Sequence, residues 1–274
     1  MSEPGVSEGY IAARRALLDA LDALKEHLGA LVLVGAQAIY LHTGTADVAI
    51  ATHTKDGDVA LDPTALNAAP LIEEAMRAAG FELRPDRTQP GEWVNKDGML
   101  VDLLVPETLG GAGRRGARMP PHSTLSARKV SGLEATLVDN AIREIRSLEL
   151  DDHRQFTLRV AGPAGLLVAK LHKIGERKAS PDRLDNKDAH DIYRLLRSTD
   201  TSELSATIST LLRDELAADA TARALDYLEE LFIDATSLGS TMAGAAERIV
   251  GNPEQVAAAC SALTQDLLDA LRNQ

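Results

Sequence analysis

Residues 31–61 constrain this chain more than any other stretch. LVLV is a continuous apolar run too short for a helix, and Gly35 follows it directly. That pattern predicts a buried strand and a tight turn. AQAIYLH then predicts a helix of about two turns, and DGDVAL, after a Thr-rich loop over 43–55, predicts a second strand. Side chains alternate across a strand, so Asp56 and Asp58 would share a face, roughly 6.5 Å apart.

Paired carboxylates beside a Gly-opened helix N-terminus suit a divalent metal and a nucleoside triphosphate. Gly35 lets the backbone approach a phosphate closely, with Ala36 beside it at the helix start, and Gly57 leaves one strand face unobstructed. A third acid, Asp102, sits in the apolar run GMLVDLLVP. A charge there is costly unless paired or metal-bound. With Asp56 and Asp58 it would complete a metal-ligand set for in-line nucleotidyl transfer, or act as base toward an acceptor hydroxyl.

The remaining pattern predicts a mixed α/β front half and a helical back half. Helices are expected over 9–28, 63–79, 131–147, from Gly162-Pro163, over 188–197 and through the tail. On the first of them Leu17, Leu21, Leu24 and Leu28 form the apolar stripe, and Arg14, Arg15 and Asp19 fill the outer faces. Pro63 opens the second with Gly80 past its end, and Ser131-x-x-Glu134 reads as a capping box for the third. Further strands are expected at 81–83, around Trp93 and Val94, at 99–105 and at 156–160. The fold class is α/β (α+β): a small mixed sheet flanked by helices over 1–130, and a mainly helical domain over 131–274.

The downstream basic residues are candidates for phosphate contacts. Lys170 and Lys173 lie i,i+3 on one helix face, where either would neutralise a triphosphate. Asp188 and Asp191, also i,i+3, would orient such a lysine or the substrate. Residues 107–127 form the clearest loop, with four glycines, Pro120 and Pro121, and with Arg114, Arg115 and Arg118 suited to the RNA backbone.

Composition narrows the partners. Aromatics are only 3%, which argues against an aromatic platform for single-stranded nucleic acid. The net charge of −12 argues against tight non-specific binding to polyanions. Much of that charge is local, however: residues 201–274 hold 12 Asp/Glu against 4 Lys/Arg. A single cysteine, Cys260, excludes an internal disulfide framework and a Cys-rich zinc site, and it falls on an apolar helix face. The polar N-terminus is unlike a signal peptide, and the most apolar run, 28–41, is too short to span a bilayer. A cytoplasmic protein without a membrane partner is expected.

VLVGAQAIYLHTG, TKDGDVAL, VDLLVP, the Lys170/Lys173 helix and KDAHDIYRLL together resemble nucleotidyltransferase-superfamily proteins of the abortive-infection AbiEii/MenT type. The resemblance covers roughly residues 30–197. It implies a nucleotidyltransferase-like fold, Mg²⁺, an NTP donor, an RNA acceptor such as the tRNA 3′ end, and a cognate antitoxin protein as partner. By position it implies Gly35 for the phosphate turn and Asp56 and Asp58 for the metal. It further implies Asp102 as third acid, Lys170 or Lys173 as the lysine, and Asp188 or Asp191 as the late acid. Ala36 is a departure, since Ser or a second Gly is usual there. A small-molecule acceptor of the aminoglycoside kind and a catalytically degenerate binding protein are the rival expectations.

Overall fold

A computed structural model describes residues 7–44, 54, 56–84, 89–249 and 251–274. Most of the Thr-rich loop, including His53 and Lys55, therefore lies outside the described residues. The chain forms two compact units: Met1–Ala38, Ala51–Val130 and Asn140–Ala161 make the first, and Ile39–Ile50, Ser131–Asp139 and Gly162–Gln274 the second.

The first unit opens on α1 (Glu8–Ala23), whose N-terminus is capped by Ser7 Oγ accepting from Tyr10 N. Leu17, Leu21 and Leu24 are buried, as their spacing predicts. A short 3₁₀ turn, Lys25–Ala30, leads into β1 (Leu31–Val34), buried at every position. The chain then forms α2 (Gly35–Thr43), β2 (Asp56–Leu61), α3 (Ile72–Ala78), β3 (Glu82–Leu83), β4 (Glu92–Val94), β5 (Leu100–Pro106) and β6 (Arg128–Val130). After α4 (Glu134–Val138), β7 (Asn140–Arg146) and β8 (Gln155–Ala161) complete the sheet. Its order is β3-β4-β5-β2-β1-β8-β7, with β6 also on β5. The sheet is mixed: β1 runs antiparallel to β2, while β5 beside β2 and β8 beside β1 are parallel. α1 packs on β2 and β5, whose Val59, Val101, Leu103 and Val105 are buried.

Two predicted helices fail. Only Ile72–Ala78 of the expected 63–79 helix forms. Pro70 has no N–H to give a helix and disfavours the α conformation at Ala69, so the helix starts after it. The expected 131–147 helix ends at Val138, and Asn140–Arg146 pairs instead along the whole of β8, from Asn140 opposite Ala161 to Arg146 opposite Gln155. Asp139 makes the break. Its carbonyl accepts from Gly162 N and its carboxylate from Gly165 N, both at 2.8 Å, so Asp139 is committed to starting the next helix. The expected Ser131–Glu134 capping box does not form the helix start: the N-cap residue is Leu133, with no side-chain cap hydrogen bond, and Glu134 accepts from Gly132 N at 2.9 Å.

The second unit is helical: α4, α5 (Pro163–Gly175), α6 (Asn186–Ser198), α7 (Thr201–Leu211), α8 (Ala218–Phe232), α9 (Leu238–Ala246) and α10 (Pro253–Arg272). α5 packs on α4, α6 and α8, and α9 sits between α6 and α10. In the tail, Leu204, Ile208 and Leu211 on α7 and Val256, Cys260 and Leu267 on α10 are buried, while Leu212, Leu216 and Leu263 are half-buried. No described helix is long and apolar enough to cross a membrane.

Candidate functional site

Four acids of the first unit, Asp56, Asp58, Asp102 and Glu92, share one face of its sheet. Asp58 on β2 is directly opposite Asp102 on β5, and Asp102 is in turn opposite Glu92 on β4. Register partners project to the same side, as does Asp56, two residues from Asp58. Three neighbouring strands therefore line up Asp58, Asp102 and Glu92. Glu92 is an acid that sequence spacing does not single out; only the antiparallel register of β4 reveals it.

Arg128, equally silent in the sequence, joins them from β6. It is the register partner of Leu104 and so faces the same way as Asp102, to which its Nη2 donates at 2.5 Å. Burial opposes the guanidinium's charge, but Asp102, Asp58 and Glu92 around it outweigh that and hold its pKa above the ordinary arginine value. Arg84 stands 3.8 Å from Glu92 on the same edge.

Gly35 has φ +66°, a backbone conformation that L side chains rarely adopt. A Cβ there would lie 1.9 Å from Asp58 Oδ2, so the glycine turn packs directly on the Asp58 carboxylate. Ala36, next in the helix, is buried. The sequence expectation that Gly57 leaves one strand face unobstructed is not met. The missing side chain of Gly57 admits Leu17, whose Cβ would be 3.2 Å from a Cβ at 57.

A buried polar relay braces Asp56. Arg14, expected on an outer face of α1, is 3% exposed. It donates to Gln37 Oε1 at 2.7 Å, to Arg146 O at 3.0 Å and to the Tyr10 hydroxyl at 2.9 Å. Gln37 Nε2 then donates to the Asp56 carbonyl at 3.2 Å, and Thr54 donates to Asp56 Oδ1 at 2.8 Å. The sequence carries a faint signal for Arg14, since Ala13, Ala16 and Leu17 around it are all apolar.

Arg114, Arg115 and Arg118 are exposed side chains on a loop that is pinned through its backbone. Lys129 N donates to Arg115 O at 2.8 Å, Ala117 N to Ala127 O at 3.0 Å and Arg118 N to Gly110 O at 2.9 Å. The loop is thus built against the strand that carries Arg128.

The other predicted residues come together within the second unit. Lys170 on α5 places Nζ 2.7 Å from Asp188 Oδ1 and 2.7 Å from Asp191 Oδ2, both on α6. Lys173 Nζ lies 2.8 Å from the same Asp188 oxygen. Lys170 and both aspartates are buried, whereas the Lys173 side chain is 41% exposed. Burial works against each charge, but the partners prevail: Lys170 is held well above the usual lysine value and Asp188 below the usual carboxylate range. The ammonium of Lys170 is already shared by two carboxylates, so Lys173 is the one with a face to offer.

Among the described residues no three His, Cys, Asp or Glu side chains gather closely enough to hold a metal ion. The donor chemistry nevertheless fits a hard divalent cation. Asp56 and Asp58 supply carboxylate oxygens on one strand, and Asp102 Oδ1 is buried without a hydrogen-bond partner.

The sequence profile of a family described as Nucleotidyltransferase matches residues 14–236. Among solved structures, the chain is similar to one described as the solution structure of the antibiotic-resistance factor ANT(2'')-Ia. Identity is 12% and the TM-score 0.42, with 77% of this chain and 96% of that chain covered. No curated protein matches this chain.

Proposed function

The chain belongs to the nucleotidyltransferase family, and on that premise we propose that it moves a nucleoside monophosphate from an NTP to a hydroxyl of RNA, at the tRNA 3′ end. The observation that carries the reading is the register of Asp58 opposite Asp102, with Asp56 two residues away on the same face. Asp56 and Asp58 would hold Mg²⁺, which when bound neutralises charge on the triphosphate and its leaving group. The glycine turn at Gly35 fixes the Asp58 carboxylate, and the Arg14–Gln37 relay fixes the strand at Asp56. Asp102 lies beside Asp58 to assist the metal or take the proton of an acceptor hydroxyl. Within the second unit taken by itself, Lys173 is exposed on α5 and would offer positive charge to a phosphate, while Lys170 and Asp191 hold Asp188 in place beside it.

RNA is the preferred acceptor because Arg114, Arg115 and Arg118 expose three guanidiniums on a backbone-pinned loop. The AbiEii/MenT resemblance supports the further reading that the protein is the toxin of a toxin–antitoxin pair, held in check by a cognate antitoxin. One observation favours a second acceptor: a net charge of −12 attracts a polycationic small molecule of the aminoglycoside kind.

The test is to incubate the protein with Mg²⁺, each labelled NTP in turn and total cellular RNA, beside Asp58→Ala. Label entering a tRNA-sized band with the wild-type protein alone supports the reading and names the base. No label with any NTP sinks the RNA reading, and polycationic acceptors are then assayed in the same format.

A further inference from the structure

The Arg128–Asp102 pair is incomplete in an informative way. Arginine–carboxylate pairs are frequently bidentate, with two parallel N–H···O bonds. Here a single bond forms, from Nη2 to Oδ2 at 2.5 Å. The second donor, Arg128 Nη1, and the second acceptor, Asp102 Oδ1, are both buried, and neither has a hydrogen-bond partner. Native proteins leave few buried polar atoms in this state.

Arg128 is also held firmly. Its strand pairs in parallel with β5, and its backbone bridges Gly116 on the other side. Gly91 packs so close to this strand that a Cβ there would lie 2.8 Å from Arg128 N. A fixed strand, a guanidinium tethered at one nitrogen and an unused buried donor at the other describe a group set to receive an anion. The face around it holds Asp56, Asp58, Asp102 and Glu92, which would repel a bare polyphosphate, so an anion bound there needs a cation of the protein's own. The planar fork of arginine matches phosphate oxygens.

We propose that Arg128 is a triphosphate-binding residue, donating through Nη1 to a phosphate oxygen of the NTP, and that Asp102 is its positioning residue. The proposal rests on the nucleotidyltransferase reading above and assigns a cation to the sheet face of the first unit that carries Asp58, Asp102 and Glu92.

The experiment is calorimetric binding of non-hydrolysable NTP analogues, with Mg²⁺, to the full chain and to Arg128→Gln, Arg128→Lys, Asp102→Asn and Arg128→Gln/Asp102→Asn. The expected result is that Arg128→Gln weakens binding at least about tenfold, the loss of a charged hydrogen bond. Asp102→Asn weakens it at least comparably, and the double variant is no weaker than Asp102→Asn alone. Where Arg128→Gln loses its fold by circular dichroism, Arg128→Lys is read instead. Its ammonium stays beside Asp102 but lacks the second donor of the fork, and binding again falls about tenfold.

Binding equal to wild type in the folded Arg128 variants overturns the proposal and leaves the nucleotidyltransferase reading standing. So do losses that add between Arg128→Gln and Asp102→Asn. Failure of the wild-type protein to bind any of the analogues with Mg²⁺ overturns both.

Discussion

Gly35 and Asp58 are packed so tightly that a single methyl on residue 35 would overlap the Asp58 carboxylate, at 1.9 Å from Oδ2. The turn that the sequence proposes for a phosphate also forms a wall against an acid on the candidate site's face.

Gly35→Ala should therefore cost both stability and activity. The positive φ alone costs about 1 kcal/mol for a residue with a Cβ, and displacing Asp58 adds to it. Gly80→Ala is the control, since Gly80 has φ +82° but a Cβ there would meet nothing within 4 Å. Urea unfolding should show a larger loss for Gly35→Ala, and only that variant should lose nucleotidyl transfer.

Lys170→Met would leave the buried Asp191 without its lysine and Asp188 with Lys173 alone. Breaking a buried ion pair from one side costs about 3–5 kcal/mol, which chemical denaturation would register directly. The same network sets a pH window. Asp188 is held below its unfolded value of about 3.8, so its contribution is present above that pH and is lost as acid carries the solution down toward its folded value. Lys170 is held above about 10.5, so its contribution is full below that pH and is lost as the solution rises through its folded value. The loss of stability between pH 7 and pH 3 should be smaller in Lys170→Met/Asp188→Asn than in the wild-type protein, as denaturation curves at the two pH values would show.

Arg14→Met should destabilise the first unit by about 2–4 kcal/mol, because a Gln37 oxygen and the Arg146 carbonyl lose their donor in a buried setting. A cost below about 0.5 kcal/mol in urea would show that the relay from α1 to Asp56 carries no energy.

Cys260 should be inert in the folded protein. It is fully buried on α10, and burial pushes its thiol pKa up to about 12, so at pH 8 it stays protonated. A thiol reagent should react with one equivalent in denaturant and with almost none before it. Rapid native reaction would mean that α10 opens readily.

Arg114, Arg115 and Arg118 changed together to Gln should leave NTP binding intact and weaken RNA binding. For a single strand each phosphate contact contributes about 0.7 to the slope of log K against log salt, so the triple variant should flatten it by about 2. An unchanged slope would remove this loop from the RNA interface.

Much of the first unit is legible in the residues. The run LVLV before Gly35 and the alternation of DGDVAL specify two strands because burial and period leave no other arrangement, and the pair Asp56/Asp58 follows from the period alone. The i,i+3 spacings on α5 and α6 single out Lys170, Lys173, Asp188 and Asp191 without any knowledge of their contacts. Residues 140–146 are not legible. Ala141, Ile142 and Ile145 recur at helical intervals, but β8 offers an open edge whose backbone groups need partners, and seven cross-strand pairs outweigh a local preference. Glu92 and Arg128 likewise carry no local signal. They become part of the acidic face only because β4 and β6 dock along β5, and strand register is fixed by pairings distant in sequence. The sequence by itself determined most of the segments that are strands or helices and which acids share a strand. The tertiary structure alone decided that an arginine from another strand meets those acids, because that meeting depends on register and not on spacing.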